Sequence, residues 1–174
     1  HPNMEVVYAD CLNEEELQAA VENVDYAYYL IHSMRENNNE FVQKDQIAAK
    51  NFRDAAERCG VKRIIYLGGL GEKNDRMSSH LRSRREGGQL LTQGSVPVIR
   101  VRAAIILGTG SASYELMKAM IVNNRYIPFL SEFNSRCQPI AIRDVIKYLV
   151  GVMETPDLSS CIYQVGCKDI LTYK

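Results

Sequence analysis

The residues best suited to chemistry in this chain stand four apart: His80 and Arg84. On a helix that spacing puts both side chains on one face. A neutral imidazole can donate a proton, and its unperturbed pKa of about 6.5 suits neutral conditions. A neighbouring guanidinium disfavours the imidazolium and pushes that value down. Arginine does not usefully release its own proton, but it binds hydroxyls and phosphate oxygens. The pair therefore reads as a proton donor beside a clamp for hydroxyl or phosphate groups. The plainer reading is a solvated polar helix, because Arg82, Arg85 and Glu86 crowd the same segment.

These residues need a frame, and the chain spells one out. Met4 to Tyr8 is apolar enough for a short strand that Asp10 closes. Asn13 is a helix N-cap, with Glu14, Glu15 and Glu16 in the first turn. Leu17, Ala20, Val21 and Val24 form that helix's apolar stripe. Val24 to Ile31 is a nearly continuous apolar run, the mark of a strand covered on both faces. An Asn-rich loop, Asn37 to Asn39, precedes a helix from Glu40 to Cys59 that Gly60 stops. Phe41, Ile47, Ala48, Phe52, Ala55 and Ala56 recur along it at helical spacing. A strand from Arg63 to Leu67 ends in Gly68-Gly69 and leads to the helix Ser79 to Thr92, stopped by Gly94. Val96 to Arg102 is the next strand. Helices follow near Ser113 to Val122 and within Ile140 to Met153, the latter capped by Asp144 or a residue just before it, and Ile162 to Val165 closes as the last strand. The stretch from Asn123 to Gln138, with Pro128, Phe129 and Phe133, reads as an ordered excursion over one edge. Strands alternating with helices imply a parallel sheet.

Bulk properties exclude several classes. Formal net charge is zero, which argues against a dedicated nucleic-acid or membrane-surface protein. The apolar runs fall short of the roughly 20 residues that span a bilayer. His1-Pro2-Asn3 does not open a signal peptide. The five cysteines are odd in number, include no Cys-x-x-Cys and fit no zinc spacing. They read as free thiols in the cytoplasm, and no metal is expected. Cys161 and Cys167 are close enough in sequence to face each other across a turn.

The order of these words resembles one family. Its anchors are Tyr8-Ala9-Asp10-Cys11-Leu12-Asn13, the run Val24 to His32, Ala55 to Arg63, and Gln138-Pro139-Ile140. With the strand Val61 to Leu67 and the helix bearing His80 and Arg84, they resemble an atypical, extended-type short-chain dehydrogenase/reductase. More narrowly, the chain is similar to NAD(P)H-binding proteins of the NmrA-like and nucleoside-diphosphate-sugar epimerase-like kind. The resemblance implies an α/β, Rossmann-like doubly wound parallel sheet. It implies that residues 1–174 are a single NAD(P)-binding domain, truncated at the N-terminus. The family's opening strand, Gly-x-x-Gly-x-x-Gly turn and helix have no counterpart, and neither has a C-terminal domain. His1 in place of Met agrees with truncation. Gly68 to Gly71 and Gly108-Thr109-Gly110 lack the spacing of the missing turn.

The resemblance also implies roles. Asp10 matches an Asp that bonds the adenine amino group, with Cys11 packing on the ring; the alternative is that Asp10 merely caps the following helix. Leu30, Ile31 and His32 sit where backbone lines the ribose and pyrophosphate, at a strand end of the kind that binds ligands in open α/β sheets. Leu67, Gly68 and Gly69 end the strand that carries the family's Ser, here replaced by glycine, which leaves backbone amides and room for a flat ring. His80 stands for the family's Tyr and Arg84 for its Lys, so both are catalytic candidates and Arg84 also a cofactor holder. Arg102, Ala103 and Ala104 follow a strand end where the family has Arg-Pro-Gly with its backbone over the nicotinamide, and the two alanines depart from that pattern and leave the local turn open; Tyr114, Met117, Phe129, Phe133 and Gln138 border the substrate side. The implied cofactor is NAD(P)H of either form, with a small-molecule substrate and a homo-oligomer as a further expectation, and without nucleic acid or membrane. Three readings stay open: an oxidoreductase- or epimerase-like enzyme, a non-catalytic dinucleotide-sensing or regulatory module, and a scaffold without a competent cofactor site.

Overall fold

Four parallel strands carry the candidate residues, and helices on both faces hold the strands in place. The computed structural model describes residues 2–32, 40–70, 78–111, 114–115, 118–119, 122 and 136–172. In chain order the elements are α1 (Glu14–Val21), β1 (Tyr26–Tyr29), α2 (Glu40–Arg58), β2 (Arg63–Gly69), α3 (Ser79–Leu91), β3 (Val98–Ala103), β4 (Ile106–Leu107), β5 (Arg136–Cys137), β6 (Ile140–Ala141), α4 (Ile142–Glu154), β7 (Cys161–Val165) and β8 (Leu171–Thr172). The main sheet runs β1-β2-β3-β7, all parallel, with Tyr29 beside Tyr66, Gly69 beside Ala103 and Ala103 beside Val165. The expected doubly wound, Rossmann-like α/β architecture is thus present.

Local signals explain the helix ends. The Asn13 side chain accepts from the Glu15 and Glu16 amides at 3.1 and 3.4 Å, capping α1 as expected. Gly60 ends the α2 turn at φ +70°, a backbone state that L side chains rarely adopt. Ser78 caps α3 through its hydroxyl, which accepts from the Leu81 amide. The first residue of α4 follows Ala141, which makes no side-chain cap, and Asp144 lies in the first turn instead. The helix dipole explains the Asp there without a capping bond.

Each face of the sheet has its own core. One packs Leu17, Val21, Ala49, Phe52, Ala55, Ala56 and Leu91 from the helices against Tyr29, Ile64, Tyr66 and Val98. The other packs Val145 of α4 with Ile99, Val101, Ala103, Ile140 and Val165. Ile47, expected in the apolar stripe of α2, is 47% exposed, whereas Ala49 is fully buried. The buried positions Ala48, Ala49, Phe52, Ala55 and Ala56 follow the three-four spacing, and Ile47 falls just off that face.

Two further expectations are corrected. Met4 to Tyr8 is not a strand; Val6 and Tyr8 are 83% and 87% exposed. Apolar residues make a strand only when a neighbour accepts the ladder, and these residues have no paired strand among the described residues. Nor does β7 close the fold, because β8 follows and pairs antiparallel with β5, Cys137 opposite Leu171. All five cysteines are free, Cys161 and Cys167 included. The loop Asn37 to Asn39, most of the helix near Ser113 to Val122, and the excursion with Pro128, Phe129 and Phe133 lie outside the described residues.

A buried arginine ties the second face together. Arg63, 6% exposed at the start of β2, donates to the carbonyls of Val152, Met153 and Thr155, at 2.7, 3.3 and 2.7 Å. These include carbonyls that the last turn of α4 leaves without intrahelical partners, at the end where the helix dipole favours a cation. The guanidinium also lies 5.7 Å from the Tyr26 ring centroid.

The opposite face turns on Tyr66. Its ring sits in a notch between Gly68 and Gly88, and its hydroxyl donates to the Arg84 carbonyl at 2.6 Å. A Cβ on Gly88 would lie 2.7 Å from Tyr66 Cε1, while one on Gly87 meets nothing within 4 Å. Helix propensity favours Ala over Gly by about 1 kcal/mol, and overpacking against a fixed ring costs about 1–3 kcal/mol. Gly87→Ala is therefore expected to raise unfolding stability by about 0.5–1 kcal/mol and Gly88→Ala, with the propensity gain offset by overpacking, to lower it by up to about 2 kcal/mol. Urea unfolding of the two variants checks this, and a change of the same sign in both would refute the notch.

Candidate functional site

The candidate residues gather where the parallel strands end. The turn before α1, the residues after β1, the glycines ending β2 and the first turns of α3 all reach this edge. Asp10 is exposed, and its carboxylate accepts from the Leu12 amide at 2.9 Å. It makes a local turn, while Asn13 does the capping. Cys11 packs on the core beneath, and its carbonyl accepts from the Asn51 amide at 3.1 Å. Burial, and then the Asp10 charge, push the Cys11 thiol up, which keeps it protonated and suits packing over reactivity. Leu30 and Ile31 are 52% and 46% exposed, so the chain leaves β1 along an open surface.

His32 follows them and is half-buried. Burial and the Arg84 charge, in that order, lower its pKa, and His80 pushes the same way; the Leu30 backbone and Asp45 oppose them. Arg84 and His80, both on α3, therefore act on His32 from across the sheet end. His80 itself is exposed in the first turn of α3. Arg84, one turn on, donates from Nη2 to the Leu67 carbonyl at 3.3 Å, and its buried Nε has no hydrogen-bond partner. Ser83, 2% exposed, donates to Asp45 at 2.8 Å, and Gln46 donates to Glu86 at 3.0 Å, so α3 is held against α2 on its other side.

Beside this group opens a cleft of about 500 Å³. Gly69, Leu70, Ala103, Ala104 and Ile105 line it, together with Leu81, Arg84 and Gln138. Small and apolar groups thus floor the cleft at the ends of β2 and β3. Gly69 leaves little spare room, because a Cβ there would lie 2.6 Å from Leu81 Cδ2. The glycine serves the packing of α3 on the strand end as much as any ligand. Gln138 borders the cleft as expected, and its amide donates to the Cys167 carbonyl at 3.2 Å. Tyr114 is not among the lining residues, and Met117, Phe129 and Phe133 lie outside the described residues. Arg136, Cys137 and Ile170 also line the cleft and carried no site signal in the sequence. Their place depends on the β5–β8 pairing of segments far apart in the chain.

Arg102 and Gly68 behave differently from the rest. Arg102 donates from Nε to the Gly69 carbonyl at 3.1 Å, and both residues line a second, smaller cavity on the helix-covered face. The structure thus brings His32, His80, Arg84, Gly69 and Ala103 to one edge and leaves Arg102 beside it. No group of three or more His, Cys, Asp or Glu able to hold a metal occurs among the described residues.

The sequence profile of a family described as NAD(P)H-binding matches residues 1–97, more than half of the chain. The chain belongs to the NAD(P)H-binding family. Its cofactor class is accordingly NAD(P)H. Among curated proteins none matches the sequence. Solved structures that resemble the fold include the Bordetella bronchiseptica enzyme WbmG in complex with NAD, at 14% identity and a TM-score of 0.78, covering 97% of this chain and 59% of that one. UDP-glucose 4-epimerase of Thermotoga maritima with UDP-glucose superposes at 12% identity and a TM-score of 0.79, covering 99% of this chain and 66% of that one. UDP-N-acetylglucosamine 4-epimerase of Bacillus cereus does so at 16% identity and a TM-score of 0.75, covering 97% and 67%. This member of the NAD(P)H-binding family thus shares the Rossmann-like fold of these structures and spans about three-fifths of the length of the WbmG chain. Among the described residues no helix is long and apolar enough to cross a membrane.

The lowered His32 pKa carries a sign that can be tested. The folded chain prefers neutral His32, whereas the unfolded chain takes up the proton near the ordinary value of about 6.5. Stability should therefore fall as pH drops from about 6.5 toward the folded value and be unaffected by His32 above it. Melting curves between pH 7.5 and 5.5 should show a shallower loss in His32→Gln than in the parent chain. Equal slopes would mean that His32 does not feel its neighbours.

Proposed function

We propose that this chain forms the nicotinamide-side half of a dinucleotide site in an atypical short-chain dehydrogenase/reductase-like protein. In this reading His80 moves the proton of the reaction, and Arg84 holds ribose hydroxyls or a phosphate oxygen. The observation that carries it is Arg84, which lines the cleft at the strand ends and acts, with His80, on His32 beside it. Ligands in open α/β sheets bind at such ends.

The residues present fit a nicotinamide nucleotide. Gly69, Ala103 and Ala104 give a low, largely apolar floor on which a flat ring can rest. The guanidinium of Arg84 is fixed through Leu67 and retains an Nε without a hydrogen-bond partner. A bound nicotinamide supplies or accepts a hydride. The chain must then handle the accompanying proton, and an exposed imidazole on the first turn of α3 is placed to pass it between substrate oxygen and solvent. Neutral His32 borders the site without adding a charge that would repel Arg84. Nucleotide sugars are the substrate class suggested by the UDP-glucose of the Thermotoga maritima structure.

A second reading is a dinucleotide-binding module without a redox step. Gly68 and Gly69 favour it, because neither offers a side-chain hydroxyl to polarise a carbonyl at the end of β2.

Calorimetric titration with NADPH and NADH, followed by NADPH oxidation with carbonyl or dye acceptors, separates the readings. Binding is expected, with Arg84→Ala weakening it by about tenfold, the loss of one charge-assisted contact. His80→Ala should lower turnover by about 10²-fold or more and leave the cofactor Kd nearly unchanged. Unchanged turnover in His80→Ala would remove its proton role. Binding of both redox forms without consumption would favour the module, and no binding would overturn both readings.

A further inference from the structure

Behind Arg84, on the α3-covered face of the sheet, lies a separate cavity of about 120 Å³. Four arginines line it: Arg84 and Arg85 from α3, and Arg100 and Arg102 from β3. Arg100 and Arg102 are two apart on one strand, so the pleat sends both to the same face. Gly88 and Gly68 keep the wall between them low. Four like charges around so small a space repel one another unless something negative sits among them.

Among the described residues no carboxylate lines the cavity. Arg85 and Arg100 make no ion pair among the described residues. Nε of Arg100 is buried without a hydrogen-bond partner. Burial, then Arg102, then Arg85 push the Arg100 pKa down, and only the Tyr66 hydroxyl opposes them. Neighbouring carboxylates are engaged elsewhere, Glu86 with Gln46 and Asp45 with Ser83. Arg100 is only half-buried, but its buried Nε–H is idle, which is costly, and an incoming anion at the guanidinium offsets that cost.

We infer that this arginine-lined cavity is an anion site for a phosphate group, either free phosphate or the terminal group of a phosphomonoester. Guanidinium forks match phosphate oxygens in pairs, and a phosphate offers more acceptors and more charge than a single carboxylate. The volume admits the phosphate alone, so the remainder of a phosphomonoester would project outward. The site shares Arg84 and Gly69 with the cleft but places Arg85 and Arg100 where the cleft does not reach. An anion here would steady Arg84 from behind.

Thermal melts of the full chain in inorganic phosphate, glycerol phosphate, acetate and chloride at matched ionic strength test this. About 10 mM phosphate is expected to raise the melting midpoint by about 3 °C, with acetate and chloride giving no comparable shift. The shift should vanish in Arg100→Gln and shrink in Arg85→Gln, the latter guarding against a variant that fails to fold. A shift with inorganic phosphate supports the free ion as sufficient, and a shift with glycerol phosphate alone supports the ester-borne group. No shift with either, equal shifts for all anions, or equal shifts in parent and both variants would overturn the site.

Discussion

The site depends on how α3 is fastened to the end of β2. Two hydrogen bonds do this from opposite directions: the Tyr66 hydroxyl reaches up to the Arg84 carbonyl, and the Arg84 guanidinium reaches back to the Leu67 carbonyl. Tyr66 can make its bond only because Gly68 and Gly88 leave space for its ring. Its other side rests on Tyr29, whose ring meets Phe52 edge-on at 4.9 Å. A single aromatic chain of contacts therefore runs from α2 through β1 and β2 to the residue that bears the candidate clamp. Burial raises the pKa of Tyr66 despite the opposing pull of Arg84, so the phenol remains a donor at neutral pH.

Electrostatics are distributed unevenly over a chain of zero net charge. Acidic groups of α2 and α3 meet polar partners along the seam between these helices, as in Ser83 with Asp45 and Gln46 with Glu86. The guanidinium groups of Arg84, Arg85, Arg100 and Arg102 instead collect beside the ends of β2 and β3, with the imidazole of His32 close to Arg84. Such a distribution favours an anionic ligand at this edge. Arg63, the one buried arginine among the described residues, is consumed structurally by the carbonyls at the C-terminal end of α4. The same residue type is thus a fastener on one face and a ligand group on the other. The difference lies in the neighbours: backbone carbonyls take three bonds from Nη1 of Arg63, whereas Arg100 lies beside Arg85 and Arg102.

Much of the frame was legible in the sequence. Asn13, Gly60 and Ser79 lie at or beside the observed helix boundaries because caps and stops are local chemistry. The pairing of His80 with Arg84 on one helix face followed from their spacing. The proximity of His32 to both did not, because it arises from parallel pairing of β1 with β2 across 37 residues, Tyr26 beside Arg63. Met4 to Tyr8 misled for the same reason in reverse: strand character is conferred by a partner, and no partner pairs with it among the described residues. The burial of Arg63, and of Nε of Arg100, inside apolar strands was equally hidden. A periodicity argument sees a charged residue and predicts solvent, whereas the fold supplies carbonyls to one and other arginines to the other.

The central claim is that His32 and His80 face one dinucleotide site. The chain has only three histidines, His1, His32 and His80, so imidazole resonances in a heteronuclear NMR spectrum can be assigned by single substitution. Titration with NADH should move the His32 and His80 signals together, with one shared saturation curve. Saturable NADH binding that leaves both signals in place would contradict the account.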